Sequence, residues 1–345
     1  MKKIFLFSFF AAFFLIACYH YIPMTGTQEQ TITIRNHTTT LVTSIPSVIT
    51  KPTFLSTSAS SCAPAAPWEE YAVVSFVPEV ENTDKTYTGL LALPAVEYLI
   101  KDPQNKFGLS DKRIDFSFGV ASDGKPHEQT VANQQQFEAW STGALAWDGI
   151  SEDKVLYLTF DCGYEYENIT AQVLDILSKK RIQSAFFCTM TYLRSRPDVV
   201  ARMILDGHTV GNHSLSHPEN CAALTREALA EQALAVENYL RVNFGYSTKY
   251  FRFPAGVYSE NAVQVLSSVG YRSVFWSIAY ADWDPVNQVG PEKAFEILTS
   301  RLHPGAVILL HTTSPDNLNI LEAFIDYALA QGYRFAELND YPGWK

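Results

Sequence analysis

Two short segments carry residue types that can activate a water molecule. Asp161 directly follows the apolar run at residues 155–160, and His213 and His217 stand four residues apart about fifty residues later. A carboxylate can accept a proton, and two imidazoles at this spacing can reach one metal ion from one face of a helical turn. Taken alone, Asp161 is equally well explained as a turn residue, and a lone HxxxH pair is more often structural than metal-binding.

Three further polar clusters also follow apolar runs, at residues 252–256, 280–283 and 309–312. Separately, Arg252 could be a surface cation, Asp282 a turn residue and His311 a structural histidine. In α/β folds, however, catalytic groups collect where strands end at their carboxyl termini. Five polar clusters in such positions therefore favour a single active site at one rim of a sheet.

The elements that would position these residues alternate between strand and helix from residue 154 onward. Strands are expected at 155–160, 184–188, 209–211, 250–253, 273–276, 306–310 and 333–336. Helices are expected at 168–180 and at 225–244, where an apolar stripe runs from Thr225 as a possible N-cap to Gly245 as a stop. Repeated β-then-α units predict an α/β fold, and seven or so of them predict a closed or nearly closed parallel barrel.

The chain before this region falls into three predicted parts. Residues 1–18 have the charged start and the apolar run of an export signal, which is too short for a comfortable membrane span. The end of this signal resembles a bacterial lipobox, which implies lipidation of Cys18 and anchoring at the outer face of the cytoplasmic membrane. An ordinary cleaved signal, giving a secreted protein, or an uncleaved anchor is the alternative.

Residues 19–67 are rich in Thr, Ser and Pro, a composition typical of a tether without a packed core. Residues 68–150 form an N-terminal extension of uncertain role. Within it we expect a strand at 71–77, a strand or a helix at 90–100 and a helical patch at 133–140.

Composition excludes some classes of partner. The formal net charge is −10, from 26 Lys and Arg against 36 Asp and Glu, so the chain lacks the basic surface that nucleic acid requires. No protein partner is predicted. The five cysteines include no CxxC pair, and their spacing indicates neither a disulfide scaffold nor a structural zinc site.

Over about residues 154–340 the order of the motifs resembles that of the polysaccharide deacetylase family, the NodB homology domain. The motifs are TFDxG at 159–163, HSxxH at 213–217, RxPxG at 252–256, DW at 282–283 and LLH at 309–311. The strings GVYSE, VFWSIAYADW and HPGAVILLHTTSPDN look like the delta-lactam-biosynthetic de-N-acetylase branch, which deacetylates N-acetylmuramic acid in peptidoglycan. The resemblance implies a distorted (β/α) barrel of seven to eight parallel strands at residues 151–345, with an N-terminal extension.

The resemblance also implies roles for the residues of the site. A divalent metal ion, expected to be Zn²⁺, would be bound by His213 and His217. Asp161 would be the general base and His311 the general acid. Arg252 would orient Asp161, and Asp282 would hold the imidazole of His311 in the correct tautomer. Further contacts to the substrate would come from the backbone N–H of Ala255 and from the aromatic rings of Trp283, Tyr258 and Tyr280.

The sequence departs from the family pattern at three positions. Cys162 stands where the family usually has an Asp that is the third metal ligand, so it is either a thiolate ligand or a small buried residue. Ala279 replaces the first Asp of the usual DxxDW motif. Ala255 stands where the branch often has a larger, basic residue, which weakens the assignment of the substrate more than that of the reaction.

The leading prediction is therefore metal-dependent de-N-acetylation of cell-wall glycan. A deacetylase of chitin oligosaccharides or N-acetylglucosamine, or of O-acetyl-xylan, would use the same site. A lipoprotein that binds the wall without catalysis is the alternative from another class, and the joint presence of an acid and a base argues against it.

Overall fold

The computed structural model of the chain describes residues 70–151 and 153–344. The predicted export signal, the lipobox cysteine Cys18 and the tether at 19–67 lie outside these residues. All described residues belong to one compact unit, Cys62–Lys345. Within the described part of the chain, every helix is too short or too polar to cross a membrane.

Strands and helices alternate along most of the unit. The strands are β1 Tyr71–Val74, β2 Tyr98–Lys101, β3 Ile114–Asp115, β4 Val155–Cys162, β5 Ala185–Cys188, β6 Thr209–Asn212, β7 Tyr250–Phe251, β8 Val257–Tyr258, β9 Arg272–Ser273, β10 Ala306–His311 and β11 Arg334–Phe335. The helices are α1 Glu128–Ala139, α2 Ile169–Lys180, α3 Met190–Ser195, α4 Pro197–Leu205, α5 Arg226–Phe244, α6 Glu260–Ser268, α7 Pro291–Ser300 and α8 Pro315–Ala330.

Seven strands form one parallel sheet in the order β10-β4-β5-β6-β7-β9, with β11 also paired to β4. The segment after β9 crosses to β10, where Ile278 bridges Ile308 and the Leu309 amide donates to the Ile278 carbonyl at 2.9 Å. This contact closes the sheet into a ring. The fold is the predicted distorted (β/α) barrel, and the distortion lies in β7, β9 and β11, which have only two residues each.

The central strand β4 is buried along all eight of its residues, as expected for a parallel strand covered on both faces. Leu158 and Phe160 pack in a cluster with α2, α4, α7 and α8, whereas Tyr157 belongs to a second cluster on the opposite face. Because side chains alternate along a strand, Thr159 and Asp161 point to the same side as Tyr157, toward the barrel interior. The strand thus delivers Asp161 to the inner rim.

Several predicted strands are shorter than expected, among them the strand at 71–77, which ends at Val74. The strand expected at 250–253 ends at Phe251, because Pro254 has no N–H and the chain turns away there. The strand expected at 273–276 begins at Arg272 and ends at Ser273; the Val274 amide still donates to the Phe251 carbonyl at 2.8 Å, and the backbone then bonds to Leu145, which lies before β4. The predicted helix at 225–244 is confirmed, with Thr225 accepting from the Ala228 amide and Gly245 in the left-handed conformation.

Residues 70–108, here called the strap, run along the outside of α5. Its only strands are β1 and β2, which pair antiparallel, so the expected strand or helix at 90–100 forms only at its end. The buried Asn238 side chain donates to the carbonyls of Phe76 and Val96, both at 2.8 Å, and accepts from the Val96 amide at 2.8 Å. Asn243 makes similar bonds to residues 79 and 81. The strap therefore packs on the barrel through buried amides of α5.

Candidate active site

Asp161 and Arg252 form a buried ion pair at the carboxyl ends of their strands. Arg252 Nη1 donates to Asp161 Oδ1 at 2.9 Å, and the two side chains are 0% and 7% exposed. Arg252 also donates from Nη2 to Thr159 Oγ1 at 2.8 Å and from Nε to the Val274 carbonyl at 3.0 Å. Its guanidinium lies 4.1 Å from the ring centre of Phe187. Because Nε and Nη2 are held by these other acceptors, Arg252 bonds to Asp161 through Nη1 and to its Oδ1 atom alone.

The two histidines of the HSxxH motif lie in a loop after β6, not on a helical turn as expected from their spacing. Ser214 and His217 both have positive φ, of 75° and 51°, which breaks any helix there. The Ser214 hydroxyl accepts from the His217 amide at 2.9 Å, and the Ser214 amide donates to Asn212 Oδ1 at 2.9 Å. The loop nevertheless brings the two rings together, with their centres 4.9 Å apart.

A backbone carbonyl orients the imidazole of His213. Its Nδ1 faces the carbonyl of Arg252 at 2.9 Å, which assigns the proton to Nδ1 and leaves a lone pair on Nε2. Nε2 lies 3.5 Å from Asp161 Oδ2. Burial lowers the pKa of His213 to about 4, with a smaller opposing effect from Asp161, so its imidazole is neutral near neutral pH. A neutral imidazole with an oriented lone pair is the form that binds a metal ion.

A second pair joins His311, the last residue of the neighbouring strand β10, to Asp282 in the loop before α7. His311 Nδ1 lies 2.7 Å from Asp282 Oδ1, and the His311 amide donates to Asp282 Oδ2 at 2.7 Å. Asn317 Nδ2 also donates to Asp282 Oδ2, at 2.6 Å. Asp282 is fully buried, whereas the His311 side chain is 23% exposed. With Nδ1 bound to Asp282, the Nε2 atom of His311 is the one free to donate a proton.

The electrostatics of the two pairs separate a base from an acid. Burial opposes ionisation of Asp161, but the charges of His213, Arg252 and His311 outweigh it and hold the pKa of Asp161 below its usual value. Because His213 is neutral near neutral pH, Arg252 is the permanent cation. Burial also opposes protonation of His311, yet Asp282 outweighs it and raises the pKa of His311. The lowered pKa favours the ionised form of Asp161, and the raised pKa favours the protonated form of His311.

The structure does not bring Cys162 to the two histidines. Alternation along β4 puts Cys162 on the side opposite to Asp161, in the cluster with α2, α4, α7 and α8. The hydroxyl of Thr312 donates to its sulfur at 3.5 Å, and Cys188 is its register partner on β5. Of its two predicted roles, the position favours the small buried residue over the thiolate ligand. Among the described residues, no group of three His, Cys, Asp or Glu side chains is arranged to hold a metal ion.

The site nevertheless fits a divalent metal ion bound by two imidazoles with its other positions open. The fit rests on the two adjacent rings and on the oriented lone pair of His213, next to a carboxylate that balances positive charge.

The predicted substrate-binding residues are divided between the site and the core. Trp283 is 59% exposed, and its ring centre is 6.3 Å from that of His311. Tyr258, in contrast, is 3% exposed inside an aromatic cluster and cannot offer a face to a sugar ring. The hydroxyl of Tyr280 donates to Asn317 Oδ1 at 2.6 Å, so Tyr280 supports the site through Asn317. Ala255 is exposed with a φ of 51°, and within the described residues its N–H has no hydrogen-bond partner.

Two residues of the site were missed by the sequence analysis. Thr159 accepts from Arg252 and donates to the Ile308 carbonyl at 2.6 Å, which links β4, β7 and β10. Asn317 lies in the string at 303–317 that carried the family resemblance, but its contact with Asp282 depends on how α8 packs. Alternation from Asp161 could have indicated Thr159, whereas only the three-dimensional structure indicates Asn317.

Comparison with known proteins gives consistent matches. The family model for polysaccharide deacetylase matches residues 148–274. The chain is 37% identical over 192 residues to the peptidoglycan-N-acetylmuramic acid deacetylase PdaA of Bacillus subtilis, which covers 56% of this chain and 73% of that protein. It is 32% identical over 178 residues to a chitooligosaccharide deacetylase of Sinorhizobium fredii, covering 51% and 80%.

Among solved structures, that of Bacillus subtilis PdaA, described as a family 4 carbohydrate esterase, superposes with a TM-score of 0.63 at 33% identity. The match covers 68% of this chain and 98% of the PdaA chain.

Proposed function

Because the chain belongs to the polysaccharide deacetylase family, we propose that it is a metal-dependent enzyme that removes acetyl groups from N-acetylmuramic acid in peptidoglycan. The observation that carries the proposal is the register of the two central strands, in which His311 on β10 is the direct partner of Asp161 on β4. A base and an acid of opposite protonation state thus face the same small space. Hydrolysis of an amide is accelerated by a base that takes a proton from the attacking water and by an acid that protonates the departing amine.

Members of the family are generally metal-dependent, and His213 and His217 are the residues that would hold the ion here. When bound, a divalent ion would supply Lewis acidity that polarises the acetamide carbonyl and lowers the pKa of water. The donor set is two imidazoles, which Zn²⁺ accepts readily, so zinc is the proposed metal.

The proton transfers follow from which atoms are already bonded. Arg252 occupies Oδ1 of Asp161, so Oδ2 takes the proton of the attacking water. His311 Nε2 then donates a proton to the departing amine, while Asp282 keeps the imidazole oriented through Nδ1. The free N–H of Ala255 would donate to the developing oxyanion, and the exposed face of Trp283 would support the sugar ring.

The choice of N-acetylmuramic acid rests on the similarity to PdaA, which has that substrate in its name. The likeness to a chitooligosaccharide deacetylase supports N-acetylglucosamine oligomers as the second candidate. We further propose that the protein acts outside the cytoplasm, attached to the membrane through a lipid on Cys18, with secretion as the alternative. The export signal and the lipobox in the sequence support this placement.

The test is to incubate the protein with purified peptidoglycan and with its muramidase-released fragments, with chelator or with added Zn²⁺, and to analyse the products by mass. We expect metal-dependent loss of one acetyl group from muramic acid. Loss from glucosamine would keep the reaction and change the substrate. If acetylated xylan and chitin oligosaccharides also stay intact with every metal, the proposed reaction is wrong and wall binding without catalysis becomes the better hypothesis.

The matched variant is Asp161→Asn. It keeps the size of the side chain but removes the base, so we expect kcat to fall by about 10²- to 10⁴-fold. Circular dichroism and metal content should stay close to those of the parent, because the two histidines are untouched. Turnover at the parental rate would show that another group is the base.

A further inference from the structure

Asn317, in the first turn of α8, is bonded to both members of the acid pair. Its Nδ2 donates to Asp282 Oδ2 at 2.6 Å and to the His311 carbonyl at 3.2 Å. The side chain is 2% exposed, so these bonds do not compete with bulk water. Asp282 is itself fully buried, and a buried carboxylate is stabilised only if its oxygens are satisfied by donors. Asn317 supplies one of the three donors that Asp282 receives.

The orientation of the Asn317 amide is fixed by Tyr280. The Tyr280 hydroxyl donates to Asn317 Oδ1 at 2.6 Å. If the amide were flipped, its oxygen would face the carboxylate of Asp282, which has no proton to donate. The hydroxyl of Tyr280 therefore holds Asn317 in the one orientation that presents its N–H₂ group to Asp282.

The same turn of α8 is tied to the loop that carries Asp282. Ser314 caps the helix by accepting from the Asn317 amide at 3.1 Å, and its hydroxyl lies 2.5 Å from Gln288 Oε1. Asp316 Oδ2 accepts from the Gly290 amide at 2.7 Å. Because the loop has no regular secondary structure of its own, these bonds to the first turn of α8 help to hold Asp282 in place.

We propose that Asn317 and Tyr280 are positioning residues for the reaction: Tyr280 orients Asn317, Asn317 holds Asp282, and Asp282 directs His311 toward the leaving amine. This inference rests on the proposed deacetylase function. Neither residue contacts Asp161, His213 or His217, so the effect of both should be confined to the acid side of the site.

The experiment compares Asn317→Ala and Tyr280→Phe with the control Asn319→Ala, which makes the same change at an exposed position of the same helix. For Asn317→Ala we expect kcat to fall by about 10- to 100-fold with KM changed by less than about twofold, as for other residues that orient catalytic groups. Tyr280→Phe, which keeps the ring packing, should show a smaller fall of the same kind. Asn319→Ala should match the parent.

A double-mutant cycle separates positioning from general destabilisation. In an Asp282→Asn background, Asn317→Ala should have little further effect on kcat, because the residue through which it acts is already altered. If the two losses multiply instead, or if Asn317→Ala and Tyr280→Phe both turn over like the parent, the inference is wrong while the deacetylase function stands. If the parent hydrolyses no acetylated glycan, the proposed function fails and this inference fails with it.

Discussion

Arg252 holds Asp161 in a way that a lysine could not reproduce. Its guanidinium bonds at the same time to a carboxylate, a hydroxyl and a backbone carbonyl, and it stacks on Phe187. A lysine has one compact charge and no planar group to stack. Breaking a buried ion pair by removing one partner typically costs about 3–5 kcal/mol, because the other charge stays buried alone. Removing either partner should therefore destabilise the rim of the barrel as well as disturb the base.

The pH dependence of activity should report the pair of His311 and Asp282. His311 must be protonated to act as the acid, so activity is present below its pKa and is lost as pH rises through it. Asp282 outweighs burial and raises that pKa. Replacing Asp282 by Asn removes the negative charge, so the pKa of His311 falls and the alkaline limb of the kcat profile moves to lower pH. The measurement is kcat against pH for parent and variant.

The control for this prediction is Asp284→Asn, because Asp284 lies in the same loop but its bonds go to residues 286 and 287. Its profile should coincide with that of the parent. An unshifted alkaline limb in Asp282→Asn would mean that a group other than His311 controls that limb.

At the scale of single residues, sequence analysis indicated the charged residues and histidines of the candidate site, but it missed Thr159 and Asn317 and the environment of the aromatic residues. Asp161, His213, Arg252 and His311 could be placed because each stands at or close to the end of an expected strand. Tyr258 could not, since it lies in the short strand β8 and its ring packs against Phe116 and Phe137 from the segment before β4. Which way a side chain points depends on packing partners far away in sequence.

At the scale of elements, the close approach of β5 and β6 depends on Gly211. A Cβ at Gly211 would lie 2.5 Å from a ring carbon of Phe187, the residue on which Arg252 stacks. We therefore expect Gly211→Ala to lower the free energy of unfolding by about 1–3 kcal/mol and to lower kcat through displacement of Arg252. Denaturant unfolding and steady-state kinetics would measure the two effects.

Gly163→Ala is the control for stability, because a Cβ there would meet no atom within 4 Å. We expect its unfolding free energy to stay within about 0.5 kcal/mol of the parent. Equal stability of the two variants would mean that Phe187 can move aside without cost.

Local sequence patterns are sufficient to predict some of the elements but not others. The stripe and caps of α5 are local signals, and the helix begins and ends where they indicate. The strands β7 and β9 are defined by which neighbour their backbone bonds to, and that neighbour lies far away along the chain. The spacing of the HSxxH motif predicted that the rings of His213 and His217 would be adjacent, which they are, but it predicted a helical turn where the structure has a loop. Helical spacing is only one of the ways to bring two side chains together.

At the scale of the whole molecule, the strap should stabilise the barrel without taking part in the reaction. Asn238→Ala leaves three backbone groups of the strap without their buried partner, which typically costs about 1–3 kcal/mol. We expect lower stability to denaturant and faster proteolysis within residues 76–96, with kcat close to that of the parent. Glu231→Ala, an exposed change on the same helix, is the control. A large loss of kcat in Asn238→Ala would show that the strap also shapes the site.

The barrel separates the residues that we propose for the reaction from those that we propose to contact the rest of the glycan. Asp161 and His311 lie in strands, and Arg252 directly follows one. Trp283 and Ala255 lie on exposed turns that connect the elements of the barrel. Substitutions of the exposed side chains of Trp283 and Ala255 leave the residues of both ion pairs in place. Substrate preference can therefore diverge during evolution while the chemistry is inherited unchanged, and laboratory selection for a new acetylated sugar should begin at these turns.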